Sequence, residues 1–115
     1  MRYVDGMLCA VPTANKQRYL EHAEQTAAVF LRYGALSLRE CWGDDVPEGA
    51  TNSMPGAVLQ QPDETVVFSW IVWPSKAVRD EAWAKLHEDE AMRASEMPFD
   101  GKRMIFGGFE SILDC

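Results

Sequence analysis

Charged side chains stand inside apolar segments at several points of this chain: Asp5 near the start, Arg39, Glu40 and Asp44 in a second segment, and Arg103 and Glu110 around the last. A carboxylate or guanidinium on a covered sheet must be paired or must bind something, because stripping its water is costly. If a second layer roofs the sheet, such groups line a cavity where burial shifts their pKa values and suits them to acid or base work. The structural alternative is an ion pair across subunits, with Arg39 or Arg103 against Asp5 or Asp44. Four tryptophans are many for this length. Trp42, Trp70, Trp73 and Trp83 supply either packing area or a flat wall for a planar ligand, and Trp42 and Trp70 are the pair expected to form that wall. Together these residues define a candidate small-molecule pocket: Asp5, Arg39, Asp100 and Arg103 as polar groups, Trp42, Trp70 and Phe99 as walls. Asp100 also has a simpler role as a turn residue that accepts its own backbone amides.

Other chemistries find less support. The two histidines, His22 and His87, lie on expected helices without ligand partners on the same face, and a zinc or iron site needs three or four converging ligands. No metal and no cofactor is expected. Cys9, Cys41 and Cys115 are odd in number and widely spaced, which suits free thiols in a reducing compartment. Neither Cys9 nor Cys41 has an activating base adjacent in the chain. Gly107-Gly108 precedes no helix and so makes no phosphate cradle. A formal net charge of −7 opposes binding to nucleic acid. No apolar run approaches the roughly 18 residues of a membrane span, and Asp5 interrupts any secretory signal, so a cytoplasmic location is expected.

The elements that must position these groups follow from periodicity. Residues 3 to 11 read as a strand stopped by Pro12. A helix follows, with Leu20, Ala23, Ala27, Leu31 and Gly34 as its apolar stripe, Thr13 or Asn15 as its cap and Gly34 as its stop. Residues 35 to 45 alternate as a second strand, with Leu38, Glu40 and Trp42 on one side and Ser37, Arg39 and Cys41 on the other. Residues 46 to 62 are rich in Pro, Gly, Asn and Ser and read as a long loop. Thr65 to Trp73 is apolar on both alternation faces and should be buried on both sides. Pro74-Ser75 opens a second helix with Val78, Ala82 and Leu86 as its stripe, and a short helical piece spans residues 91 to 95. A strand over 103 to 113 ends the chain, its Gly107-Gly108 pair marking a bulge, a bend or a close approach.

Strand, helix, strand, strand, helix, strand is the order of a ferredoxin-like α+β fold: one antiparallel sheet with both helices on one face. All 115 residues fit one domain. The third strand then needs cover on the side the helices leave bare, and a second copy laid sheet against sheet would provide it. A homodimer follows as the expected assembly.

The segments Tyr3-Val4-Asp5-Gly6, Gly34-Ala35-Leu36, Val67-Phe68-Ser69-Trp70-Ile71 and Met97 to Ile105 make the chain resemble the YbaA-like family of short bacterial proteins over nearly its whole length. The resemblance implies the dimeric α+β barrel superfamily, whose relatives include small monooxygenases, haem-degrading enzymes and lactone isomerases. It transfers no catalytic residue. Two functions from different classes follow. One is a cofactor-free dimer with a small-molecule pocket and a monooxygenase- or isomerase-like activity. The other is a non-enzymatic dimerisation or stress-response module whose loop over 46 to 62 recruits a protein partner.

Overall fold

The computed structural model describes residues Met1–Cys115. Its elements in chain order are β1 (Tyr3–Pro12), α1 (Lys16–Arg32), β2 (Ser37–Trp42), α2 (Met54–Ala57), β3 (Glu64–Trp73), α3 (Lys76–Leu86), α4 (Glu90–Ala94) and β4 (Ile105–Glu110). The strands form one sheet in the order β2-β3-β1-β4 with every neighbouring pair antiparallel. β1 and β3 pair over their whole length, from Tyr3 opposite Trp73 to Pro12 opposite Glu64. This is the ferredoxin-like α+β architecture expected from the element order.

One face of the sheet carries Tyr3, Asp5, Cys9 and Val11 of β1 beside Val67, Ser69, Ile71 and Trp73 of β3, and all eight are buried. Both long helices lie on that side. Phe30 of α1 and Ala82 and Leu86 of α3 pack with Tyr3, Ile71 and Trp73, while Tyr19 and Ala23 pack with Cys9, Val11 and Val67. Each large apolar side chain removed from water here contributes about 1.5–3 kcal/mol.

The α3 stripe falls where the sequence puts it, and Ser75 caps the helix by accepting from the Val78 amide at 3.2 Å. The α1 stripe does not. Its buried face is Tyr19, Ala23, Val29 and Phe30, whereas Leu20 and Leu31 are about half exposed, at 47% and 48%. No side chain caps the start of α1; Asn15 instead donates to the Pro98 carbonyl at 3.1 Å. The stop is as expected. Gly34, at φ 113°, donates to the Leu31 carbonyl and Ala35 to that of Phe30, a pair of bonds only a left-handed residue allows after a helix.

Residues 46 to 62 do more than connect strands. They contain α2, capped by Ser53, and they drive Val58 onto Leu8, Ala10 and Val66 on the other sheet face, where Val58 is fully buried. Part of the cover that β3 needs therefore comes from within the chain. The rest of that face stays open: Phe68, Ile105 and Phe109 are 43%, 46% and 60% exposed around an apolar hollow of about 320 Å³. The last strand is shorter than the expected 103 to 113. Arg103 belongs to a 3-10 turn, Gly101–Arg103, and the ladder stops at Glu110.

Candidate functional site

Among the candidate pocket residues, Asp5 is the most deeply buried, and it is spoken for. Its Oδ2 accepts from the indole Nε1 of Trp73 and of Trp83, each at 2.9 Å. Arg79 of α3 closes the arrangement, donating to Oδ1 from Nη2 at 2.8 Å and from Nε at 3.0 Å. The carboxylate hydrogen bonds raise the Arg79 guanidinium above its ordinary value, so it stays charged. The same guanidinium lies 5.2 Å from the centre of the Tyr3 ring. Gly108 makes room for this: a Cβ there would come within 2.5 Å of the Tyr3 hydroxyl and 3.0 Å of Arg79 Nη2. Half of the glycine pair thus marks a close approach by the chain's own side chains. Asp5 ties α3 to the sheet, and its oxygens are taken up by the chain's own donors.

Arg103 and Asp100 also have partners within the chain. Arg103 forks onto Glu64 at 2.7 and 2.6 Å, donates to Asp100 at 3.0 Å and reaches the Leu59 carbonyl at 2.8 Å. These bonds hold the carboxyls of Glu64 and Asp100 below their usual range. Asp100 also accepts from the Lys102 amide at 3.1 Å, the turn role it was offered. The network ties the starts of β3 and β4 to the 46 to 62 segment. The expected partners across subunits, Arg39 or Arg103 with Asp5 or Asp44, are replaced by Arg79 for Asp5 and Glu64 for Arg103.

Trp42 and Trp70 do not form one wall. Trp70 points to the open face, tilted against Phe68 with ring centres 5.4 Å apart, and Arg39 lies over it at 5.9 Å. Trp42 points to the helix face and packs toward Tyr19, with ring centres 6.5 Å apart. Alternation along the paired strands forces this split, because Trp42 is opposite Val67 and Arg39 is opposite Trp70. Phe99 joins the Trp42 side through Tyr19, at 5.8 Å.

A cleft of about 270 Å³ opens beside Trp42, between α1 and the β2 edge, walled by Lys16, Tyr19, Glu40, Trp42 and Val67. The Tyr19 hydroxyl donates to Glu40 Oε1 at 2.6 Å. Glu40 is exposed as a residue of the edge strand, and its carboxylate takes part in a part-buried hydrogen bond on the helix side. Desolvation pushes that carboxyl up, against the opposing effect of hydrogen bonds from Tyr19 and Ser69. Burial and then the Glu40 charge push the Tyr19 phenol up as well, so it remains a donor. Cys9 lies behind the pair, its thiol raised to about 12 by burial first and Glu40 second, which makes it a packing group rather than a nucleophile. Lys16 holds its ammonium 5.4 Å from the centre of the Trp42 ring.

This arrangement can accept a proton at Glu40, donate a hydrogen bond from Tyr19 and stack a flat or cationic group on Trp42. Of the candidate residues, Trp42 and, through Tyr19, Phe99 belong to it. Glu40 stands among the strand charges noted from the sequence but outside the pocket set, and Lys16 and Tyr19 were missed. Tyr19 shares its turn of α1 with Leu20, and the phase of the stripe hid which of the two faces inward. Among all residues, no group of three or more His, Cys, Asp or Glu side chains converges on a common point. No helix is long and apolar enough to cross a membrane.

Comparison with known proteins places the chain. Residues 2–101 match the family described as "Protein of unknown function (DUF1428)", and the chain belongs to that family. It is 51% identical over 116 residues to the YbaA protein of Escherichia coli K12, the match covering 99% of each chain, and identical figures hold for YbaA of Shigella flexneri. Among solved structures it is similar to a dimeric ferredoxin-like protein from an uncultured marine organism, with a TM-score of 0.61 at 9% identity, covering 99% of this chain and 98% of that one. It is also similar to a candidate antibiotic biosynthesis monooxygenase from Nitrosomonas europaea, with a TM-score of 0.55 at 11% identity, over 96% of this chain and 90% of that one. At these identities the likeness is one of fold.

Proposed function

We propose that the protein is a homodimer, sheet against sheet, and that each subunit binds a small molecule in the cleft between α1 and β2 with Glu40 as its proton-accepting group. The observation that carries the reading is the Tyr19 hydroxyl held 2.6 Å from Glu40 in the wall of a cleft beside Trp42. Burial raises the Glu40 carboxyl above its ordinary value, the direction that suits a carboxylate to proton transfer. An isomerisation needs no more than this, a proton taken from one carbon of the substrate by Glu40 and returned to another. The fold shared with a candidate monooxygenase keeps a monooxygenase-like activity as the neighbouring possibility. The assembly is supported by the open, apolar sheet face around Phe68, Ile105 and Phe109, and by a structural relative described as dimeric.

Sedimentation equilibrium at micromolar concentration should give twice the 12.9 kDa chain mass, and Phe109→Glu should halve it while leaving the far-UV circular dichroism unchanged. A thermal-shift screen of small metabolites should find ligands that raise the melting temperature, by an amount matching roughly 2.7 kcal/mol at a hundredfold excess over Kd. Trp42→Ala and Glu40→Gln should both lose that rise. Hits that survive both substitutions would place binding elsewhere and end the cleft reading.

A further inference from the structure

The carboxylates that fix this fold are paired with cations. Asp5, Glu64, Asp80, Asp89 and Asp100 each meet an arginine or lysine within 4.0 Å. Glu40 is placed differently: it lines a cleft and accepts a part-buried hydrogen bond there, and none of the ion pairs includes it. A carboxylate in a cleft without a counter-charge is a place a cation can occupy favourably. The Tyr19 and Ser69 hydroxyls donate to it but bring no charge.

The second observation comes from the other wall. The face of Trp42 already attracts a cation, since the Lys16 ammonium lies 5.4 Å from its centre. That distance is within the roughly 6 Å over which a ring quadrupole holds a positive charge, and tryptophan is the best of the aromatic side chains at it. Tyr19 stands between the two features, with Trp42 on one side and Phe99 on the other. The cleft thus combines one uncompensated carboxylate with an aromatic face that the chain's own lysine occupies. An anionic ligand would meet the Glu40 charge and, at long range, a protein of net charge −7.

We infer that the ligand of this cleft is a small organic cation, an amine or quaternary ammonium, whose positive centre lies between the Glu40 carboxylate and the Trp42 ring. This rests on the reading of the cleft as the ligand site and adds the charge of what it takes. In the free protein Lys16 is a built-in competitor, its ammonium holding the Trp42 face until a better-placed cation displaces it.

Three compounds of one shape and different charge test this: benzylammonium, benzyl alcohol and benzoate, titrated into 15N-labelled protein while the Trp42 indole resonance is followed. Benzylammonium should bind saturably, at least tenfold more tightly than benzyl alcohol, and benzoate should bind weakest. Glu40→Gln should erase the preference for the ammonium over the alcohol. Lys16→Met, which keeps the stem and removes the charge, should tighten benzylammonium severalfold; a mere structural role for Lys16 would leave it unchanged or weaken it. If the alcohol or benzoate moves the Trp42 resonance as strongly as the ammonium, the cation assignment is wrong while the cleft reading stands. If none of the three moves it, both are wrong.

Discussion

Replacing Asp5 tests the claim that this carboxylate is scaffold rather than site. It is 4% exposed and accepts hydrogen bonds from two indoles and both the Nε and Nη2 of Arg79. Asp5→Asn keeps the shape but removes the charge, and its amide nitrogen must face donors. Removing one partner of a buried ion pair costs about 3–5 kcal/mol because the other charge is left without a partner. Arg79 keeps 21% of its side-chain surface in solvent and can recover some water, which sets the expected loss near the lower end of that range. With roughly 2.1 cal/mol/K of unfolding entropy per residue, 1 kcal/mol moves the melting temperature of a chain this long by about 4 °C, so the expected fall is roughly 12 °C or more. Urea unfolding followed by far-UV circular dichroism reads the same loss as a lower midpoint at constant m-value. Adding Arg79→Met should restore part of the stability, since no stranded guanidinium remains, and the coupling in the double-mutant cycle should exceed about 1.5 kcal/mol. An Asp5→Asn variant within about 0.5 kcal/mol of wild type would refute the argument, because a buried carboxylate with four donors cannot be that indifferent to losing its charge.

Two further outcomes follow from groups outside the cleft. Arg103 holds the Glu64 carboxyl below its unfolded value of 4.5, so the stability this pair supplies is complete above that pH and is lost as the pH falls through the lower, folded value. Melting temperatures between pH 6 and 3 should therefore drop less steeply for Arg103→Gln than for wild type, and parallel curves would show that the pair does not supply the acid sensitivity. Cys9, buried and raised to about 12, should resist iodoacetamide at pH 8 while exposed Cys115 is alkylated. Mass spectrometry of peptides from the native and urea-unfolded protein distinguishes the two, and rapid labelling of native Cys9 would contradict its burial.

The topology was legible because it rests on the coarsest signals in the chain. Val66, Phe68 and Val72 alternate with Val67, Ile71 and Trp73, which forces a central strand, and the order of elements then leaves few ways to connect it. The phase of α1 was not legible. Leu20, Ala23, Ala27 and Leu31 repeat as regularly as Tyr19, Ala23 and Phe30, the two stripes lie side by side on the cylinder, and only contact with Cys9, Val67 and Trp73 selects the one with the larger rings. That ambiguity carried over to the site, because Tyr19 is the residue that joins Trp42 to Glu40. Of the six strand charges singled out as needing a partner or a ligand, Asp5 and Arg103 have ion-pair partners within the chain. The partners themselves were hidden, since Asp5 meets Arg79 across 74 residues and Arg103 meets Glu64 across 39, and no local pattern records such pairings.

In the proposed reading, partnership separates framework from site more sharply than burial does. Asp5 and Glu64 are the more buried carboxylates, yet each is closed by a forked arginine and fixes one element: Asp5 holds α3 to the sheet, and Glu64 holds the 46 to 62 segment to the starts of β3 and β4. Burial combined with full partnership is what rigid structure requires. Glu40 has two neutral donors, Tyr19 and Ser69, and no cation within ion-pair distance, and it faces a cleft rather than a packed interior. In the proposed reading, two closed ion networks and the packed β1–β3 core hold the fold without any help from Glu40, which leaves that carboxylate available to a ligand. Of Asp5, Glu40 and Glu64, Glu40 alone forms no ion pair, and that is the position a ligand-binding carboxylate needs.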